Sequence, residues 1–158
     1  MAFQTSVSQN QGFGVVGEIF SDSPTRAKSY ILNSGAVPNT VGYAFTMVSE
    51  GQAKCGGAGV FAGILINPKA HALYGTSAGT LAPTLVIPED AQGELLTMGE
   101  VIVSLATAGN IGDGVYYVDA TGALGAGTAI AGQTQIPNAK VTRYTLSAAG
   151  LATIELTN

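Results

Sequence analysis

Hydrophobic and polar positions alternate in short bursts along this chain, and no stretch carries the 3.6-residue period of an amphipathic helix. The organising stretch is residues 94–122, ELLTMGEVIVSLATAGNIGDGVYYVDATG. Val101, Val103 and Leu105 alternate with Ile102 and Ser104, the two-residue period of a pleated strand. Residues 115–118 are a β-branched and aromatic run suited to another strand. Between them, residues 108–114 are crowded with Gly, Asn and Asp, which accept positive φ or close Asx turns. Asp119-Ala120-Thr121-Gly122 makes a second turn, with Gly122 at its left-handed position. The stretch reads as three short strands joined by two turns.

The same grammar extends to both sides. Residues 1–14 are polar and uncharged, with Phe3, Thr5 and Val7 on one side of an extended chain. Such an arm has little to bury by itself and is suited to docking on the body or adding to a neighbour's sheet edge. Residues 15–20 read as a first strand, stopped before Pro24. Arg26–Leu32 reads as a second, and residues 41–48 as a third with Tyr43, Phe45 and Met47 sharing a face. Gln52–Cys55 and residues 60–66 follow, separated by Gly56-Gly57-Ala58-Gly59. Residues 68–74 fit one helical turn with proline first, residues 75–79 a flexible loop, and residues 81–87, with Pro83 and Pro88, an edge piece. The small, Gly-rich residues 123–133 read as a mobile loop. Residues 141–146 and 151–156 pair as a hairpin, with Ile154 and Leu156 facing away from Thr153 and Glu155. Many short strands with Gly-rich turns predict an all-β sandwich or barrel. The expected organisation is an extended arm, residues 1–14, and one β domain, residues 15–158, long enough to bury a real core.

Composition changes what this body is for. Only 10% of residues are charged while 46% are hydrophobic, and 22 of 158 are glycine. Roughly a quarter charged is usual, so there are too few charges to cover a free-standing surface. Part of that surface is expected to meet other protein, in an oligomer or a lattice. Net charge is −4, and the six basic residues (Arg26, Lys28, Lys54, Lys69, Lys140, Arg143) are scattered along the sequence. Without a basic stripe, nucleic acid is not an expected partner. The start has neither a basic region nor an apolar core of a signal peptide, and the longest apolar run, residues 60–66, suits a buried strand and not a bilayer. A chain made in the cytoplasm, with no membrane partner, is expected.

Candidate chemistry is thin. Gly12-Phe13-Gly14-Val15-Val16-Gly17 matches GxGxxG, but a polar arm precedes it and no helix pattern follows, so the glycines read as an arm-to-body junction. Gly75-Thr76-Ser77-Ala78-Gly79 matches GxSxG, but His71 lies before Ser77 and Pro83 cuts off the helix a nucleophile elbow requires. His71, beside Lys69, reads as a surface or interface residue. Cys55 stands alone, so it forms neither an intrachain disulfide nor a thiolate cage and reads as a small, semi-buried residue. Glu89, Asp90, Glu94 and Glu100 are the densest acidic group, spread along strands and turns where carboxylates face water rather than hold calcium or run glycosidase chemistry. No catalytic residue, cofactor or metal is expected.

Four places give the chain a resemblance to the structural cement, or capsid decoration, proteins of tailed phages. The opening MAFQTSVSQNQGFGVVGEIF is similar to the family's Met-x-Phe-Gln start and Gly-Val-x-Gly strand. Ser23-Pro24-Thr25-Arg26-Ala27 resembles its Pro-Arg-Ala-like step, and Leu81-Ala82-Pro83-Thr84-Leu85 leading to Glu94-Leu95-Leu96-Thr97-Met98-Gly99 resembles its central segment. Gly112-Asp113-Gly114-Val115-Tyr116 with Thr121-Gly122 resembles its Gly-Asp-x-Val-Tyr…Thr-Gly signature. The Gly-rich residues 123–133 and the GTSAG loop depart from the pattern. The resemblance implies a jelly-roll-like body, an arm, a homodimer or homotrimer, and binding to the outside of the major capsid protein shell of a virion. There the protein would bridge capsomers and stabilise the DNA-filled head, with Phe3, Thr5 and Val7 of the arm at the interface. Two other readings are a receptor- or glycan-binding head appendage and a small hydrolase using Ser77 or the acidic group. A glycan site would lean on Tyr and Phe, since the chain has no Trp.

Overall fold

A computed structural model of the chain describes residues 14–20, 24–68 and 85–157. Among these there is no helix, and eleven strands carry the architecture. In chain order they are β1 Arg26–Leu32, β2 Asn39–Thr40, β3 Ala44–Ser49, β4 Gln52–Cys55, β5 Phe61–Leu65 and β6 Val86–Ile87, then β7 Gln92–Leu105, β8 Gly114–Val118, β9 Leu124–Ala126, β10 Gln133–Arg143 and β11 Gly150–Leu156. β2 and β6 make a small separate ribbon. The other nine form one sheet that closes on itself twice, and the expected all-β barrel class holds.

Both closures use β7. β1, β4, β3, β5 and β7 follow one another and return to β1 through the β1–β7 pairing. β7, β11, β10, β8 and β9 follow one another and return through β9, where Leu105 meets Leu124. Two small barrels thus share a single 14-residue strand. Its first half pairs with β1 and β5, and its second half, from Gly99, with β11. Gly99 marks the change with φ +122°.

The pleat of β7 explains the two cores. Leu95 points into the first barrel with Leu32, Phe45, Ala53, Leu65 and Ile87. Val101, Val103 and Leu105 point into the second with Val115, Tyr117, Val141 and Ile154. Leu96, one residue out of phase, sits on the outer side of the first barrel and joins the second core beside Ala44 and Ile64. The barrels therefore share apolar packing as well as a strand.

A glycine seam locks them. Gly57 N–H donates to the Asp119 carbonyl at 2.6 Å, Ala44 N–H to that of Gly122 at 2.9 Å, and the Tyr117 hydroxyl to that of Gly57 at 2.9 Å. Gly122 has φ +75°, as its turn requires, and a Cβ there would lie 2.6 Å from the Ala44 oxygen and 2.7 Å from Cys55 Sγ. Backbones approach this closely where one of the two residues lacks a side chain.

The structure corrects several expectations. Residues 94–122 hold one long strand and one short one, because the Thr97–Glu100 stretch bends at Gly99 without breaking the ladder. Residues 15–20 do not form a strand of their own: the Val15–Glu18 turn leaves a single bridge, Ile19 to Val101. The third strand starts at Ala44 and not at residue 41, since Gly42 takes φ +81°. Residues 123–133 are not all loop, for β9 lies there with Leu124 buried. The final hairpin is present, but β10 reaches back to Gln133 and ends at Arg143, before Tyr144 at φ +66°. Thr153, expected to face outward, is fully buried: it lies opposite Ile102, whose side chain is covered by Gly14. All but Pro68 of the helical turn expected over 68–74, the 75–79 loop and the first part of the 81–87 segment lie outside the described residues, as do Phe3, Thr5 and Val7 of the expected arm.

Candidate interaction surfaces

The segment of residues 14–20 is the first candidate surface. Gly17 N–H donates to the Ile102 carbonyl at 2.8 Å, Ile102 N–H to that of Glu18 at 2.9 Å, and Phe20 N–H to that of Glu100 at 3.0 Å. These bonds lay residues 17–20 along the side of β7 that β11 leaves open. Gly17 is again a close-packing glycine, with φ +82° and the Asn67 nitrogen 2.9 Å from where a Cβ would stand. Gly14 and Gly17 of the GxGxxG match therefore serve close packing against Ile102, Val41 and Asn67, and no helix follows them among the described residues. Val15 and Ile19 remain 61% and 40% exposed beside a cavity of about 230 Å³, which Ile66 and Asn67 also line. Two exposed aliphatic side chains thus stand on this segment.

A second surface is a groove of about 350 Å³ where the two barrels meet. Arg26 and Lys28 of β1 line it together with Phe61, Thr97, Asn138 and Thr157. No Asp or Glu lines it among the described residues. Though the basic residues are scattered along the sequence, the fold brings this pair together. The signal was present: two residues apart on a strand means one face.

The acidic residues disperse. Glu89 accepts from Gly35 N–H at 2.8 Å and from Asn39 Nδ2 at 3.0 Å. Asn39 in turn accepts from Ser34 Oγ, which accepts from Cys55 N–H. That network ties the loop after β1 to the start of β2 and gives the Glu89 carboxylate a structural job. Asp90 has φ +60° and accepts from Asn33 Nδ2 at 3.5 Å. Glu94 lies opposite Ser29, and Glu100 faces Arg143 at 4.0 Å, whose guanidinium stacks 5.1 Å over the Phe20 ring. Among the described residues no three His, Cys, Asp or Glu side chains gather as a metal site.

Cys55 is buried, and its Sγ donates to the Thr121 carbonyl at 3.2 Å. Burial pushes its thiol from 9.0 up to about 12, with the Thr40 backbone acting weakly the other way. A thiol so held is no nucleophile at neutral pH. Burial likewise pushes the Tyr117 hydroxyl up. Among the described tyrosines, Tyr116 and Tyr117 are buried, Tyr30 and Tyr43 half-buried, and Tyr144 exposed. Ser77 and His71 lie outside the described residues.

Comparison with known proteins points one way. The family model described as Structural cement protein (E217 gp24/Pam3 gp6) matches residues 3–157. A chain from the solved structure "The capsid of Myoviridae Phage XM1" is similar in fold, with a TM-score of 0.70 and 19% identity over 100% of this chain and 99% of that one. No curated protein matches in sequence.

Proposed function

The chain belongs to the phage structural cement protein family, and from that premise we propose that it binds the outer surface of the major capsid protein shell, bridges neighbouring capsomers and stabilises the DNA-filled head. Membership itself makes it a capsid-associated structural protein of a phage. The observation that carries the reading is the family match over residues 3–157.

The physical features suit a clamp. A body of two barrels that share β7 is stiff, so strain applied at one contact reaches the other without being absorbed between them. Exposed Val15 and Ile19 offer apolar contact area at the arm root, and Met47, Val48 and Val60 offer more at the rim of the first barrel. A net charge of −4 is repelled by packaged DNA and favours the outer face of the shell. Two modest contacts to adjacent capsomers gain avidity, because the second forms within a complex already made. The arm, with Phe3, Thr5 and Val7, is the element that reaches a neighbour, either a capsid subunit or a second copy in a homodimer or homotrimer.

Co-sedimentation with expanded empty capsids tests the reading, followed by a heat-release measurement on filled heads with and without the protein. The protein is expected to pellet with capsids and to raise the temperature at which DNA escapes. Failure to pellet overturns it. Deleting residues 2–11 is expected to lower occupancy while leaving the far-UV spectrum of the β body unchanged. Full occupancy after the deletion would remove the arm from the mechanism.

A further inference from the structure

β1 closes the first barrel only at its end. Its pairing with β4 covers Ile31 and Leu32 alone, whereas its pairing with β7 runs from Arg26 to Ile31. On the β4 side, residues 26–30 have no strand partner among the described residues. The hydrogen-bond phase says which groups face that side. Ile31 N–H points toward β4 and donates to the Gly51 carbonyl, while Leu32 N–H points the other way, to that of Ala91. By alternation, the N–H and C=O groups of Ala27 and Ser29 point off the free edge. Both residues are exposed.

Arg26 and Lys28 stand on this same segment and line the groove between the barrels. Neither has an ion-pair partner among the described residues. Glu94 stands across from Ser29, out of phase with both. The rest of the groove mixes neutral polar groups, Thr97, Asn138 and Thr157, with apolar ones that include Val60, Phe61 and Leu156.

We propose that the free edge of β1 and the groove beside it take an extended acidic segment of the capsid partner as an added strand. The edge groups of Ala27 and Ser29 supply main-chain hydrogen bonds, and Arg26 and Lys28 supply charge complementarity. The charges choose the occupant. Positive side chains on an exposed edge discourage pairing with an identical edge, because a second β1 would bring Arg26 and Lys28 against their own copies. They favour a strand that carries carboxylates. This chain's own arm, residues 1–14, has none to offer. Two cations without a longer basic stripe also suit a short acidic peptide better than a duplex. The inference rests on the capsid reading above and names the contact it uses.

The test compares wild type, Arg26→Gln/Lys28→Gln, Ser29→Pro and the control Lys54→Gln, all full-length, for binding to expanded empty capsids. Salt is set at about 50 mM and about 300 mM, which spans strong and weak screening. Thermal midpoints confirm that each variant is folded. Wild type and Lys54→Gln are expected to bind alike and to weaken at high salt. The double variant is expected to bind about 10- to 100-fold more weakly at low salt and to lose most of its salt dependence. Ser29→Pro removes an edge donor and is expected to weaken binding at both salts. If the double variant binds as wild type does, the groove is not the contact, though the capsid reading stands. If wild type does not bind capsids at all, both fall. Two further results also overturn the proposal: a dimer of the free protein abolished by Ser29→Pro, which assigns the edge to a second copy, and a low-salt shift of duplex DNA abolished by the double variant.

Discussion

Single positions in this chain act through burial. The Cys55 thiol is protonated to about 12 in the folded protein against 9.0 as its ordinary value. Above about pH 9 the unfolded chain gives up this proton while the folded chain keeps it, so unfolding releases a proton and alkali favours it. Stability is therefore full below pH 9 and falls by about 1.4 kcal/mol per pH unit on the way to pH 12. The raised Tyr117 hydroxyl adds to the loss at the upper end. Urea midpoints at about pH 8 and about pH 10 are expected to differ in wild type and to differ less in Cys55→Ala. Thr153 gives the opposite lesson. Its hydroxyl oxygen is buried with no hydrogen-bond partner among the described residues. Thr153→Val keeps the shape and removes the orphan, so it is expected to raise stability by about 1 kcal/mol, read as a higher urea midpoint. The burial of Cys55 was legible from its residue type, whereas that of Thr153 was not. Alternation puts threonine with Glu155 on the wet face, and only the fold shows Thr153 buried opposite Ile102, which Gly14 packs against.

Among the elements, β7 decides most. It pairs with β1, β5, β9 and β11 and carries residues of both cores. Leu96 is fully buried where the outside of one barrel meets the inside of the other, and Leu96→Ala is expected to cost about 2–5 kcal/mol. Ile31, 45% exposed on β1, is the control: Ile31→Ala is expected to stay within about 0.5 kcal/mol. Chemical denaturation of the two variants against wild type measures both. The alternating Val101, Val103 and Leu105 announced the second half of β7 plainly. Its first half was harder to read because Leu95 and Leu96 are adjacent and both buried, each belonging to a different core. Strand β9 was missed for a related reason. Leu124-Gly125-Ala126 carries one large side chain, and its strand identity comes from β8 and β7 on either side.

Across the molecule, a shared strand and a shared core predict one unfolding event. Leu32→Ala in the first barrel and Ile154→Ala in the second are each expected to lower a single midpoint that tyrosine fluorescence and far-UV circular dichroism report alike. A two-step curve in either variant would show barrels that fold independently. Local rules on the chain were enough for the all-β class, Arg26–Leu32 and Gln52–Cys55 to the residue, and the glycine turns, because pleat period and turn preference act between neighbours. The double closure through β7, the seam of Gly56, Gly57 and Gly122, and the meeting of Arg26 and Lys28 with Asn138 in one groove arose only in three dimensions. Each joins residues tens of positions apart, and alternation says which face a side chain takes but not what stands opposite it.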